Sequence, residues 1–464
     1  MYFLILTIYL VCFWDFILGL AQLSGMWVAV LSQVPELTLL IGIFVIQSHG
    51  FVRSGTLRRI GGWIDPIFWA FASWLVLTIL ISENADKFIA FLNAKALIRY
   101  VLVFYLATAI NWDSKKYLTI RRVFLVCFFI QCFIGLVQWL VGYPALEFFA
   151  PKGLQDLFGM RRGSMIDRGR DDLEIFGTFR NTIGFAYLML IGLVVLLVSQ
   201  RPSINYKLIF SISLAVCLCY LSGSRIVLLL MLALLALRFL GLENDWIKLR
   251  KWFVLGPVLL VIAIYAYLGV LSLDLELQRG SMAYIFSPKI LEGLMNQRLG
   301  IITLILPQVA TDPMLLIGYG ADKFSLAANI ANTVDVPNQV LVDLLDQTLE
   351  DVYWIAILFY YGYVGFFLWI LFFFMVYNQL AKVEIGMPTW VVESCRVAKI
   401  LLLASIPLNF VNQAFENQIF SLALWTFAAI TVAAMRQSAR TLDGHPNLLL
   451  HKKRSSNIPV PAQD

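Results

Sequence analysis

Runs of about twenty consecutive apolar residues recur along almost the whole of this 464-residue chain, and a run of that length matches the hydrocarbon thickness of a bilayer. With 60% hydrophobic and 14% charged residues and a mean hydropathy of +0.81, a soluble core would be left without a polar coat. An all-α polytopic membrane protein is expected. Apolar length places about twelve spans, near 1–22, 27–47, 63–82, 98–112, 122–142, 178–199, 208–223, 226–242, 253–273, 352–378, 398–413 and 417–436. The opening MYFLILTIYLVCFWDFILGLAQL lacks the basic front and small-residue cleavage site of a signal peptide, so it reads as a first span that stays. The long run at 352–378 is expected to hinge at Gly362 and Gly365.

Loop charge sets the orientation. Arg53, Arg58 and Arg59, then Lys115, Lys116, Arg121 and Arg122, then Lys248, Arg250 and Lys251 fall in loops on one side, which the positive-inside rule makes the cytoplasm. The tail with His451, Lys452, Lys453 and Arg454 falls there too, so both termini are expected to be cytoplasmic. Residues 1–440 then form one membrane domain with external loops at 143–177 and 274–351, the latter between spans nine and ten, and 441–464 a disordered cytoplasmic tail. The net charge of +6 is spread over the inter-span loops, where membrane orientation accounts for it and nucleic acid is not needed. Cys12, Cys127, Cys132, Cys217 and Cys219 lie within apolar runs and Cys395 beside one, in no disulfide or zinc spacing.

Charges at the outer edge carry the chemistry. MRRGSMIDRGRDDLEIFGTFRN packs Arg161, Arg162, Arg168, Arg170 and Arg180 into the first external loop. They read either as a face on anionic headgroups or as a site for a phosphorylated ligand. Arg225, where span seven turns into span eight, needs an anion or water to meet it, or snorkels to lipid phosphate. Arg298 is a lone cation on an apolar segment that pairs with Glu292, faces water or meets a ligand. Glu350 and Asp351 stand directly before the apolar run VYWIAILFYYGYVGFFLWILFFF. They serve either as a partly desolvated general base or as a span-end marker at a helix N-terminus. Asp15, Glu36 and Arg99 also lie in or beside apolar runs, with no partner readable from the sequence.

Four segments, GTFRNTIGFAYLML, GSRIVLLL, NQRLGIITLILPQVATDPMLLIGYGADKF and EDVYWIAILFYYGYVGFFLWI, resemble in their order and spacing the landmarks of the O-antigen polymerase and ligase superfamily, the Wzy-type and WaaL-type membrane glycosyltransferases. The resemblance covers roughly residues 177–374. It implies a GT-C-like membrane fold and transfer of a glycan from a polyprenyl diphosphate carrier to a sugar hydroxyl on the outer face, without a metal or other cofactor. It further implies a glycan donor and acceptor and surrounding lipids as partners, with a chain-length regulator and a flippase as functional neighbours. Arg225 and Arg298 would stabilise the leaving diphosphate, Asp351 or Glu350 would act as base, and the loop arginines, Asn181 and Tyr353 would bind substrate. Where the family often has Asn-Pro-Asn, Asn181 is followed by Thr182 and Ile183. The histidine that ligases carry in the long external loop is missing, since His49, His445 and His451 all fall on the expected cytoplasmic side. Polymerase is the expectation, with ligase and secondary transporter as rivals.

Overall fold

The computed structural model describes residues 1–21, 31–54, 64–82, 86–149, 174–179, 181–199, 206–239, 305–321, 352–383, 387–410 and 413–443, with isolated positions between 326 and 345. Everything regular among them is helical. In chain order the helices are α1 (Tyr2–Leu20), α2 (Val34–Ser54), α3 (Ile64–Ile81), α4 (Lys87–Ile98), α5 (Val101–Thr108), α6 (Ser114–Val141), α7 (Tyr143–Phe149), α8 (Thr182–Ser199), α9 (Tyr206–Leu221), α10 (Arg225–Phe239), α11 (Leu306–Val309), α12 (Met314–Ile317), α13 (Tyr353–Ala381), α14 (Thr389–Leu408) and α15 (Gln418–Asp443). The expected span 253–273 lies outside the described residues, and each of the others overlaps a described helix, some only in part, as 27–47 does α2, 98–112 does α5 and 398–413 does α14. Four helices are each long and apolar enough to cross a membrane: α3, α6, α13 and the Gln418–Ser438 part of α15. The α4–α5 pair, bent by 46° at Arg99 and Tyr100, makes a fifth if it is one span. A protein with several membrane-crossing helices is what this composition builds.

Local signals set the helix ends. Asp86 accepts from the Phe88 and Ile89 N–H groups to start α4, and Asp113 accepts from Lys116 N at 2.8 Å to start α6. Helix α15 is buried along nearly its whole apolar length, as a helix hydrophobic all round must be, and it packs against α14, α5 and α8. Aromatic rings tie the layers together. Phe71 stacks on Trp369 at 4.6 Å, Trp369 on Phe372 at 5.4 Å, and Phe372 meets Trp425 at 5.4 Å, joining α3, α13 and α15. Cys12, Cys127, Cys132, Cys219 and Cys395 are buried and Cys217 is exposed.

The bundle has two distinct ends. At one, the Met1 amino group lies near Lys116, and burial together with that ammonium pulls it below its usual range. The Gln437 side-chain amide, oriented as its neighbours require, donates to Trp112 O at 3.0 Å and accepts from Trp112 N at 2.9 Å. The first residue and the last turns of α15 therefore share an end. Glu393 sits there as well, accepting from Tyr117 Oη at 3.1 Å and pairing with Arg121 at 3.2 Å. The opposite end holds the end of α6, the start of α8, the α9–α10 junction, the start of α13 and the α14–α15 turn.

The break expected in the 352–378 run is present, at Gly362 and not at Gly365. Its φ of 68° and ψ of −175° interrupt α13. Only glycine fits, because a Cβ there would stand 2.5 Å from Gly318 N, Ile317 C and Leu316 O. Three carbonyls at the break are taken by groups from outside the helix. Tyr319 N–H donates to Phe359 O at 2.9 Å, Gly320 N–H to Tyr360 O at 3.2 Å, and the Trp74 indole to Tyr361 O at 2.8 Å. Irregular backbone at this depth is tolerated only because protein groups close it.

Candidate functional site

The end opposite Met1 is built from segments far apart in the chain. Glu174–Phe179 runs inward between helices, with Ile175 and Phe176 wholly buried and Thr178 only 3% exposed. A non-helical stretch here needs partners for its N–H and C=O groups; Phe179 N–H closes a turn on Phe176 O at 3.1 Å, and two glutamines of α6 hold the rest of that turn. Gln138 Oε1 accepts from Phe176 N at 3.1 Å and from Gly177 N at 2.8 Å, while its Nε2 donates to Gly177 O at 2.7 Å. Gln131 Oε1 accepts from Thr178 N at 2.9 Å, and both Gln131 Nε2 and the Thr178 hydroxyl donate to Cys12 O. Gln131 stands about 15 Å along α6 from its end, so the segment descends well into the bundle. Gly177 has φ 62°, and a Cβ on it would run into the Gln131 amide oxygen.

This strap meets the second landmark directly. Ile175 N–H donates to Leu221 O at 3.2 Å, and the Glu174 carboxylate lies against Gly223, which turns the chain at φ 71°. Two residues on, Arg225 begins α10, half-buried, beside Ser224. On the other side of the strap Asn181 caps α8, its Oδ1 accepting from Gly184 N at 2.8 Å. Asn181 is thus exposed and already engaged with backbone. The third and fourth landmarks are joined in the same way, by the 318–320 turn on the α13 break. Asp312 stiffens that turn by accepting from Met314 N at 2.9 Å and from Tyr319 Oη at 2.6 Å. Burial and the Asp312 carboxylate push the Tyr319 phenol above its ordinary value. Asn93 of α4 donates to Ala321 O at 2.6 Å.

The α14–α15 turn bridges the two halves. Phe415 packs on Tyr353 at 5.2 Å and on Phe373 at 4.5 Å, while Phe420 packs on Tyr187 of α8 at 5.2 Å. Tyr353 is fully buried, and its hydroxyl has no hydrogen-bond partner among the described residues. A charged clasp holds the turn from outside. Glu36 pairs with Lys95 at 2.6 Å and Arg99 at 3.1 Å, and Arg99 also donates to Glu416 O at 2.8 Å. Glu36 is thus matched by two cations from the bent α4–α5 pair, one of them the Arg99 named from sequence. Removing one member of a buried pair costs about 3–5 kcal/mol. Here the cations are 26% and 19% exposed against 9% for Glu36, so screening lowers the effect. Glu36→Gln is expected to cost about 2–3 kcal/mol, read as a fall in melting temperature in detergent. An unchanged melting point would remove the clasp as a structural element.

Of the residues singled out from sequence, the structure places Arg225, Asn181 and Tyr353 at this one end. Arg161, Arg162, Arg168, Arg170, Arg180, Arg298, Glu350 and Asp351 lie outside the described residues. Sequence reasoning missed Gln131, Gln138, Lys95 and the 409–417 turn. Among the described residues no three His, Cys, Asp or Glu side chains come together as a metal site. No family model and no curated protein matches the chain.

Proposed function

We propose that the protein is a membrane glycosyltransferase that polymerises polyprenyl-diphosphate-linked oligosaccharide repeat units on the periplasmic face of a bacterial inner membrane. It does so in a GT-C-like bundle of about twelve spans with both termini cytoplasmic. In the reaction the bond from the donor sugar's anomeric carbon to the diphosphate oxygen breaks and its electron pair leaves on the diphosphate. The acceptor hydroxyl forms the new glycosidic bond and gives its proton to a carboxylate, Asp351 or Glu350. Negative charge grows on the leaving group, and guanidiniums fixed at that spot stabilise it because their planar fork matches phosphate oxygens. Arg225 and Arg298 take that part. The reading uses no metal or cofactor.

The observation that carries this reading is the pairing of the landmarks. Helix α8 of the first packs against α10 of the second, and the Ile175–Leu221 backbone hydrogen bond ties the residues just ahead of each, while a backbone hydrogen bond joins the third to the fourth through Tyr319 and Phe359. Both pairs pack on the first turns of α15 or the turn before it. Segments that resemble one family's landmarks in sequence thus meet at one end of the bundle, where a carrier headgroup arrives. Interrupted helices also favour a second reading, a transporter, since such proteins build sites from discontinuous spans.

Purified protein in liposomes given polyprenyl-diphosphate repeat units is expected to yield a ladder of longer lipid-linked glycans. One transfer onto a different acceptor lipid or protein would make it a ligase. Solute uptake with no transfer would make it a transporter.

A further inference from the structure

Helix α4 lies outside the stretch that resembles the glycosyltransferase landmarks, yet it holds that stretch from two directions. It is itself well anchored. Asp86 caps its start, Lys87 Nζ donates to Ile79 O at 2.8 Å and to Ser82 O at the end of α3, and Ala90, Ala94 and Leu97 form its buried face. Asn93 of this helix donates to Ala321 O at 2.6 Å. That carbonyl ends the turn whose Tyr319 and Gly320 N–H groups bind Phe359 O and Tyr360 O just above the break in α13. Arg99, at the C-terminal end of α4, donates to Glu416 O at 2.8 Å. Next to that carbonyl stands Phe415, whose ring packs on Tyr353, the first residue of α13. Two chains of contact therefore run from one helix to the two ends of Tyr353–Tyr361, a segment about 13 Å long. The break at Gly362 separates this segment from the rest of α13, so its direction is set by what it touches as much as by its own helix. Helix α3, on which α4 is anchored, adds a third hold through the Trp74 indole on Tyr361 O.

We propose that Asn93 and Arg99 are positioning residues for the transfer reaction: α4 sets the place of the first segment of α13 and so of the carboxylates that precede it. This rests on the function proposed above, in which Glu350 or Asp351 takes the acceptor's proton. Val352 alone separates Asp351 from Tyr353, so a shift of that first turn moves the base with it. A misplacement of about 1 Å at a reacting group costs on the order of 100-fold in rate. Neither Asn93 nor Arg99 touches substrate. Each acts through the backbone carbonyl it holds.

Full-length protein carrying Asn93→Leu, Asn93→Gln or Arg99→Lys tests this by two readouts. Leucine removes the donor and glutamine keeps it, while lysine keeps the charge that meets Glu36 and loses the second prong that reaches Glu416 O. In hydrogen–deuterium exchange, the amides of Tyr353–Tyr361 are expected to exchange about fivefold faster in Asn93→Leu and in Arg99→Lys, the effect of one lost hydrogen bond. The part of α13 beyond Gly362 should exchange as in the wild type, and the melting temperature should fall by no more than about 2 °C. In the glycan-extension assay kcat should drop about tenfold in the same two variants at unchanged KM, and Asn93→Gln should restore most of it. A merely structural bond would instead lower the melting temperature and loosen both parts of α13 together. Unchanged exchange of Tyr353–Tyr361 in both variants overturns the proposal whatever the rate. So does faster exchange at wild-type kcat, or an Asn93→Gln protein as slow as Asn93→Leu. A wild type that extends no glycan sinks the reaction proposed above, whereas the exchange arm is read without substrate, so the two failures are told apart.

Discussion

Arg225→Ala is expected to slow glycan extension by on the order of 100-fold, the typical loss when one preorganised electrostatic donor is removed. The amount of protein recovered from the membrane should stay the same. The reason for expecting activity and stability to separate is positional. Arg225 is the first residue of α10, and a cation at a helix N-terminus opposes the macrodipole, a cost of about 0.3–1 kcal/mol at exposed sites. Helix stability would place an acidic residue there, so an arginine at that position serves something other than the helix. An incoming diphosphate reverses the sign, because guanidinium and helix N-terminus then both face an anion. The Ser222–Ser224 turn fixes where the side chain starts, with the Ser222 hydroxyl donating to Cys219 O at 2.7 Å and Gly223 against Glu174. Arg225→Lys keeps the charge but loses the two-pronged geometry, and should recover only part of the rate. Quantifying lipid-linked glycan per unit of membrane-embedded protein decides the matter. Wild-type extension by Arg225→Ala would remove the diphosphate assignment.

Some of this architecture could be read directly from the chain. A span announces itself by length and apolarity, so α3, α6, α13 and α15 fall where the apolar runs lie. Gly362 and Gly365 together announced a break in α13, because glycines in a long aromatic run have few other uses, but not which of the two would carry it. The span expected at 98–112 covers only α5, the second half of a bent pair, because the first half, KFIAFLNAKALI, carries Lys87, Asn93 and Lys95 along a helix that does not read as apolar. The partners of Glu36 were hidden for a related reason. Lys95 and Arg99 lie about sixty residues away along the chain, and charge in a membrane sequence says that a partner exists without saying where. The inward strap at 174–179 is the least legible feature. GTFRN looks like the run-in to a helix, and nothing in its composition announces a buried turn held by glutamines about forty residues upstream. What is missing from sequence is the closure of backbone groups, a property of pairs.

Gln138→Leu puts that closure to the test. The glutamine is wholly buried and uses both its atoms: the oxygen accepts from Phe176 N and Gly177 N, and the nitrogen donates to Gly177 O. Leucine fills a similar volume and is at home in the apolar run, so helix α6 itself should lose nothing. It leaves two N–H groups and one C=O without partners, at about 1–3 kcal/mol each, and the hydrocarbon region holds no water to replace them. The sum, on the order of 3–9 kcal/mol, rivals the whole stability of many folded domains. The strap is therefore expected to leave its seat before the bundle as a whole unfolds, because Gln131 and the Cys12 carbonyl anchor only its deeper half. Limited proteolysis should then gain cleavage between 174 and 181, and extension activity should fall with it, since the strap positions the start of α8 and abuts Gly223 beside Arg225. Gln138→Glu keeps the acceptor and loses the donor, so it should sit between the two. A Gln138→Leu protein with wild-type protease resistance and melting temperature would mean that the strap is held by packing and its remaining bonds to Gln131, Cys12 and Leu221, without Gln138.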